Sequence, residues 1–263
     1  MQFVTVNGHQ LAYREMGSGP VVLFVHGFPY DHSIWLSLME KLSSTHRVIA
    51  LDLPGFGQSE LFREINRMSE FASDCHDFLK ALDVTQPVTF CGQSMGGYIG
   101  WEFWHQQPQQ VSRLVMCGTK VVPDTQQVQQ NRREVAQKVL KEGPEFMAAT
   151  MAEKLFAPQT AQGNPQLLQQ TSEIIRGTSS SAIAAAALGM AERENATDWL
   201  ADIQCPTLLV CGTEDIISPV EEMQAIAEQI QGSQLQQIPE AGHMAPVEQP
   251  GLVADVVGSF LNA

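Results

Sequence analysis

Along this chain, short stretches of consecutive apolar residues alternate with longer stretches in which apolar residues recur at helical spacing. The short runs are Val21–Val25, Val48–Leu51, Val88–Cys91, Leu114–Cys117, Thr207–Cys211 and Gln234–Ile238. An unbroken run, as opposed to strict alternation, marks a strand covered on both faces. Between the runs the pattern predicts helices near Ile34–Leu42, Met68–Leu82, Met95–Gln107, Val220–Gln231 and Gly251–Leu261. Strand and helix in turn give a mainly parallel sheet wrapped on both sides. Ahead of this series, Phe3, Val4 and Val6 lead into Asn7-Gly8, a two-residue hairpin signal.

The alternation stops between Lys120 and Leu200. No strand run occurs there. Gln126–Glu142, Glu145–Phe156, Pro165–Arg176 and Ser179–Ala191 read as amphipathic or Ala-rich helices, with breaks at Gly143-Pro144, Ala157-Pro158 and Gly163-Asn164-Pro165. The expectation is an α/β core of residues 1–119 and 201–263 interrupted by an all-helical insertion of about four helices at 120–200.

Composition narrows the classes of function. The 263 residues are 44% hydrophobic and 17% charged, a globular balance compatible with one α/β domain. Fifteen Lys+Arg against 29 Asp+Glu give a formal charge of −14, which argues against a nucleic-acid partner and weakens any case for anionic lipid. Residues 120–200 hold 8 basic and 9 acidic side chains, so this segment is nearly neutral while the remainder carries −13. No apolar run approaches the roughly 20 residues of a membrane helix. Met1–Gly8 lacks the basic and apolar regions of a signal peptide, so a cytoplasmic protein without a membrane partner is expected. The five cysteines form no C-x-x-C pair and are expected to be reduced and packed as small hydrophobes.

The strongest chemical signal is Gly92-Gln93-Ser94-Met95-Gly96, followed by Gly97. It lies directly after one apolar run and directly before a predicted helix, the context of a G-x-S-x-G nucleophile elbow. A sharp strand-to-helix turn forces a strained central residue and brings backbones too close for a Cβ, hence the glycines. A serine hydroxyl needs a base. Of seven histidines, His9 and His46 lie near turns and His76 and His105 on helices, where surface or packing roles account for them. His243 lies in Glu240-Ala241-Gly242-His243-Met244-Ala245-Pro246, a loop between the last strand run and the last helix, at the sheet edge where such folds gather their sites. Asp215, at the end of the loop Gly212-Thr213-Glu214-Asp215, is the candidate for orienting the imidazole, and the order Ser94, Asp215, His243 matches the α/β-hydrolase order. Glu214 and Asp124 are the rival acids. An oxyanion needs two N–H donors, and Met95 and Phe28, the latter in His26-Gly27-Phe28-Pro29, are positioned to supply them. His26 is expected to brace that loop. The turn Asp52–Ser59 lacks the Gly-Lys-Ser/Thr of a phosphate loop, and no metal-ligand spacing occurs.

At this point the chain resembles a known family. His26-Gly27-Phe28-Pro29, Asp52 to Ser59, Gly92 to Gly97, Gly212 to Asp215 and Ala241 to Met244 are similar, in order and spacing, to bacterial carboxylesterases close to 3-oxoadipate enol-lactonases. The phrases at Ala185–Arg193 and Ser218–Met223 look especially like the carboxylesterase branch. The resemblance implies an α/β-hydrolase fold with a mostly parallel eight-stranded sheet, a helical cap over it, and hydrolysis of small short-chain esters without cofactor or metal. It gives Ser94, Asp215 and His243 the triad roles and Phe28 and Met95 the oxyanion roles. Superfamily members that act on alkyl halides or epoxides use aspartate where this chain has Ser94, which speaks against that chemistry. The pocket is expected between core and cap, at Phe28, Trp35, Met95, Met147, Met151, Leu155, Phe156 and Leu188. Partners expected are a small-molecule ester and, at most, a second copy of the chain, as monomer or homodimer. Enol-lactone hydrolysis is the alternative, followed by C–C bond hydrolysis, perhydrolysis and a receptor role without turnover.

Overall fold

The computed structural model describes the backbone of residues 1–263 and every side chain except those of residues 152 and 153. The chain opens with strands β1 (Gln2–Val6) and β2 (His9–Met16), joined through Asn7 and Gly8. Both turn residues have positive φ, 51° and 86°, the requirement of the hairpin turn that matches strand twist. Then follow β3 (Val21–Val25), α1 (Leu36–Leu42), β4 (Arg47–Leu51), α2 (Met68–Ala81), β5 (Val88–Gln93), α3 (Met95–Gln106) and β6 (Val111–Cys117). Five helices come next: α4 (Gln126–Glu142), α5 (Glu145–Leu155), α6 (Pro158–Gly163), α7 (Pro165–Gly177) and α8 (Ser180–Ala191). The chain ends with β7 (Thr207–Gly212), α9 (Val220–Ala227), β8 (Gln234–Ile238), α10 (Ala245–Glu248) and α11 (Pro250–Leu261).

The eight strands form one sheet in the order β1-β2-β4-β3-β5-β6-β7-β8. β1 and β2 pair antiparallel, as do β2 and β4, and the other neighbours are parallel. This is the α/β-hydrolase fold expected from the sequence. Successive residues of the inner strands divide between two apolar clusters. Leu23, Val25, Ile49, Leu51, Phe90 and Leu209 face one layer with Phe71, Phe78 and Ile99 of α2 and α3. Val22, Phe24, Val48, Ala50, Cys91 and Val210 face the other with Leu38 of α1 and Val257 of α11. That two-sided burial explains why these runs are continuously apolar.

The inserted region departs from expectation in one respect, since it has five helices where four were read. In the sequence, Ala157-Pro158 signals a break. Pro158 instead occupies the first helical position of α6, where the missing N–H has no partner to lose. Helix α8 is almost wholly buried, and its small residues let it sit directly on the core: Asn66 N–H donates to the Ala185 carbonyl at 3.1 Å, and a Cβ on Gly189 would lie 1.7 Å from the Asn66 carbonyl oxygen. Among the described residues no single helix is long and apolar enough to cross a membrane.

All five cysteines are free, and burial pushes the Cys211 thiol up to about 12. On α3, burial first and the nearby Glu194 second raise the Glu102 carboxyl to about 7, with a hydrogen bond from Gln106 opposing them. The folded chain therefore holds a proton that the unfolded chain releases at lower pH. Stability from this group is complete at acid pH and is lost as pH rises from the ordinary glutamate range through about 7. Glu102→Gln is expected to flatten the fall of Tm between about pH 5 and about pH 8, stabilising the alkaline end by on the order of 1–3 kcal/mol. Thermal melts of both proteins across that range check it, and parallel curves would contradict it.

Candidate active site

Ser94 stands between β5 and α3 with φ 53° and ψ −111°, a conformation that L residues rarely adopt. The glycines around it are required by contact. A Cβ on Gly92 would lie 2.3 Å from the Gly96 carbonyl oxygen, and one on Gly96 would lie 2.2 Å from that of Val25. The turn is fastened by the Ser94 N–H to the Cys117 carbonyl at 2.9 Å, and by the Thr119 hydroxyl to the Ser94 carbonyl at 3.0 Å. The serine side chain makes no cap of its own, which leaves its hydroxyl free at the N-terminus of α3.

Two loops at the carboxyl edge of the sheet complete the arrangement. His243 Nε2 is 2.8 Å from Ser94 Oγ, and His243 Nδ1 is 2.8 Å from Asp215 Oδ2. Asp215 follows β7, and its other oxygen accepts from the N–H groups of Ile217 at 2.8 Å and Ser218 at 2.9 Å. These donors fix the carboxylate so that the remaining oxygen points at the imidazole. Both side chains are buried while Ser94 is half-buried, so the hydroxyl is the reachable end of the chain. With Nδ1–H given to Asp215, Nε2 is left as the acceptor for the serine proton.

The rival acids lie elsewhere. Asp124 is paired with Arg132 and with Arg193 at 2.6 Å, and Glu214 accepts from Gln159 on α6. His26 is fully buried, its Nδ1 2.9 Å from the Gly27 carbonyl and its Nε2 accepting from the Leu53 N–H at 3.1 Å. Burial lowers its pKa, which favours the neutral ring that this pair of bonds needs. Next to it, the N–H groups of Phe28 and Met95 have no protein acceptor among the described residues.

Of the residues expected at the pocket, Phe28, Met151 and Leu188 are half-buried, whereas Met95, Met147, Leu155 and Phe156 are buried. Trp35 is fully buried with its ring centroid 4.9 Å from that of Phe24, inside the core layer of α1. Its place in an apolar run looks the same whether it lines a pocket or fills a core. Asp31, His32 and Asp52 bring one possible metal-ligand atom each to within 4.8 Å of one another, a juxtaposition absent from linear spacing. Hydrogen bonds within the loop already account for it. Asp52 accepts from the His32 N–H at 2.8 Å, from His32 Nδ1 at 2.7 Å and from the Gln58 N–H at 3.0 Å, while Asp31 caps Ser33.

Three residues beside the site escaped the sequence reading. Gly118, at φ 49°, faces the Asp215–His243 contact: a Cβ there would sit 3.2 Å from Asp215 Oδ2 and 3.3 Å from His243 Nδ1. Gln93, the variable position of the elbow, donates through Nε2 to the His243 carbonyl at 3.1 Å. Glu248 accepts from the Gly242 N–H at 2.8 Å. Only Gly118 had a usable signal, a glycine immediately after a strand at the site edge.

Residues 20–250 match the family model described as alpha/beta hydrolase fold. The chain is 37% identical to a thermophilic esterase from Thermogutta terrifontis, with TM-score 0.96 over 99% of this chain and 97% of that one. It is 25% identical to 3-oxoadipate enol-lactonase 1 of Acinetobacter baylyi over 99% of this chain and 92% of that protein. The enol-lactonase from Burkholderia xenovorans shares the fold with TM-score 0.93 at 22% identity, each chain covered completely.

Proposed function

We propose, from the premise that this chain belongs to the alpha/beta hydrolase fold family and is a hydrolase of its esterase and lactonase type, that it cleaves small neutral carboxylic esters through an acyl-enzyme. The observation that carries the reading is the continuous hydrogen-bonded line from Ser94 Oγ through His243 to Asp215, with its serine end at the elbow. In the first step Ser94 Oγ attacks the ester carbonyl carbon while His243 Nε2 takes its proton. The negative charge on the carbonyl oxygen is received by the Phe28 and Met95 N–H groups, and loss of one such donor typically costs about 10²–10³ in kcat. His243 then protonates the departing alcohol. In the second step it removes a proton from water, which attacks the acyl carbon and frees the acid and Ser94. Asp215 holds the imidazole tautomer throughout.

Three of the insertion's basic side chains are already engaged, which favours a neutral substrate over one bearing free carboxylates, although Arg133 is exposed and pairs with no carboxylate among the described residues. Arg132 is committed to Asp124, Arg176 to Glu145 at 2.8 and 3.0 Å, and Lys138 lies over the Phe146 ring. An anion entering between core and insertion would also meet a chain of net charge −14. The enol-lactonase relatives favour the second reading, hydrolysis of a lactone. A panel of p-nitrophenyl esters from acetate to decanoate, run beside 3-oxoadipate enol-lactone, separates them. We expect the highest kcat/KM on a short neutral ester; a higher value on the enol-lactone would replace the first reading by the second.

A further inference from the structure

Glu248 ends helix α10, and its two carboxylate oxygens reach in different directions. Oε1 accepts from the Gly242 N–H at 2.8 Å, immediately before His243, and Oε2 accepts from the Ala157 N–H at 2.8 Å, between α5 and α6 of the insertion. On the far side of His243, the Met244 N–H donates to the Leu155 carbonyl at 3.2 Å. The two backbones are in contact as well: a Cβ on Gly242 would fall 2.7 Å from Ala157 N and 2.8 Å from the Phe156 carbonyl carbon. Leu155, Phe156 and Met244 share one buried cluster. Both flanks of His243 are thus tied to the segment Leu155–Ala157, one directly and one through Glu248. No Lys, Arg or His pairs with Glu248 among the described residues; burial raises its carboxyl pKa, and the Ala157 N–H, the Thr160 side chain and the Gly242 N–H oppose that by hydrogen bonding to it.

We propose that Glu248 is a positioning residue that makes the placement of His243 depend on the seating of the inserted helices. The role rests on the esterase reading above, in which His243 is the base. It requires two acceptor oxygens at once, and charge-assisted bonds of this kind are about twice as strong as neutral ones. A substrate that settles the α5–α6 junction would thereby also settle the imidazole. A shift of the junction would carry the imidazole away from Ser94.

The test uses the full chain with p-nitrophenyl butyrate and two substitutions that break the same bond from opposite ends. Glu248→Gln turns an amide NH2 toward one of the two N–H donors. Ala157→Pro deletes the insertion's donor and sets the ring Cδ against Glu248 Oε2, which lies 2.8 Å from the nitrogen, so the carboxylate must move away. The backbone angles, φ −60° at Ala157 and φ −105°, ψ 152° at Phe156, are ones that proline and the residue before it adopt. We expect each to lower kcat by about 10- to 100-fold, a larger factor than its effect on KM, because misplacement of the imidazole by ~1 Å is costly to the chemical step. The double variant should be no slower than the slower single variant, since the same contact is lost once. A folded Glu248→Gln protein with wild-type kcat, or losses that multiply in the double variant, would overturn the proposal. If Glu248→Gln does not fold, Ala157→Pro decides by the same criterion. Wild-type chain inactive on every ester sinks the esterase reading instead. The Glu248 role is then decided by the imidazole N–H proton resonance of His243, which should shift or broaden in either variant, and an unchanged resonance rejects it.

Discussion

Ser94→Ala is expected to lower kcat on p-nitrophenyl butyrate by on the order of 10⁶, the scale on which removal of a serine nucleophile acts in such a triad. The fold should remain. Ser94 makes no side-chain cap to α3, and the bonds that fasten the elbow, to the Cys117 carbonyl and from the Thr119 hydroxyl, are made by its main chain. Alanine keeps all of these and loses one hydrogen bond to His243, a net effect of about 0.5–1.5 kcal/mol. A companion substitution separates chemistry from strain. Ser94 holds φ at 53°, and relieving such a conformation with glycine should gain about 1 kcal/mol. Ser94→Gly should therefore melt above Ser94→Ala and be equally inactive. Residual activity within a hundredfold of wild type in either variant would mean that another group attacks the ester.

The second large effect is that of Asp215→Asn, which should cut kcat by about 10⁴ while preserving the melting temperature within a few degrees. Asparagine can keep its oxygen toward the Ile217 and Ser218 N–H groups, which places the NH2 against His243 Nδ1. The ring must then accept at Nδ1 and carry its proton on Nε2, where it faces Ser94 as a donor and cannot take the hydroxyl proton. Asp124→Asn and Glu214→Gln serve as controls. Asp124 is engaged with Arg132 and Arg193, and Glu214 with Gln159, so neither substitution should move kcat by more than about threefold. A strong loss in either control, with Asp215→Asn active, would reassign the acid.

The two classes of prediction differ in what made them possible. The elbow was legible because its physics is local. A serine at positive φ between strand and helix requires glycines at 92 and 96, and glycines at fixed spacing are visible in a string of letters. His243 and Asp215 could be chosen because each sits in a loop after a strand run, and parallel strands deliver all such loops to one edge. Glu248 and Gln93 offered no such mark. Each is bound to a main-chain group far along the chain, 91 residues away for Glu248 and 150 for Gln93.

What the sequence by itself determined is therefore the set of elements that obey short-range rules. The inner strands betray themselves by being apolar on both faces, the Asn7-Gly8 hairpin by its turn residues, and the elbow by its glycines. Helix α6 was hidden because a proline that starts a helix and one that ends it are the same letter. Tertiary structure alone decided the strand order, the burial of Trp35 beneath the sheet, the meeting of Ser94 with His243, and the contact of Leu155–Ala157 with the loop before Met244. Those are fixed by which surfaces pack against which, a property of the whole chain in three dimensions to which residue spacing is blind.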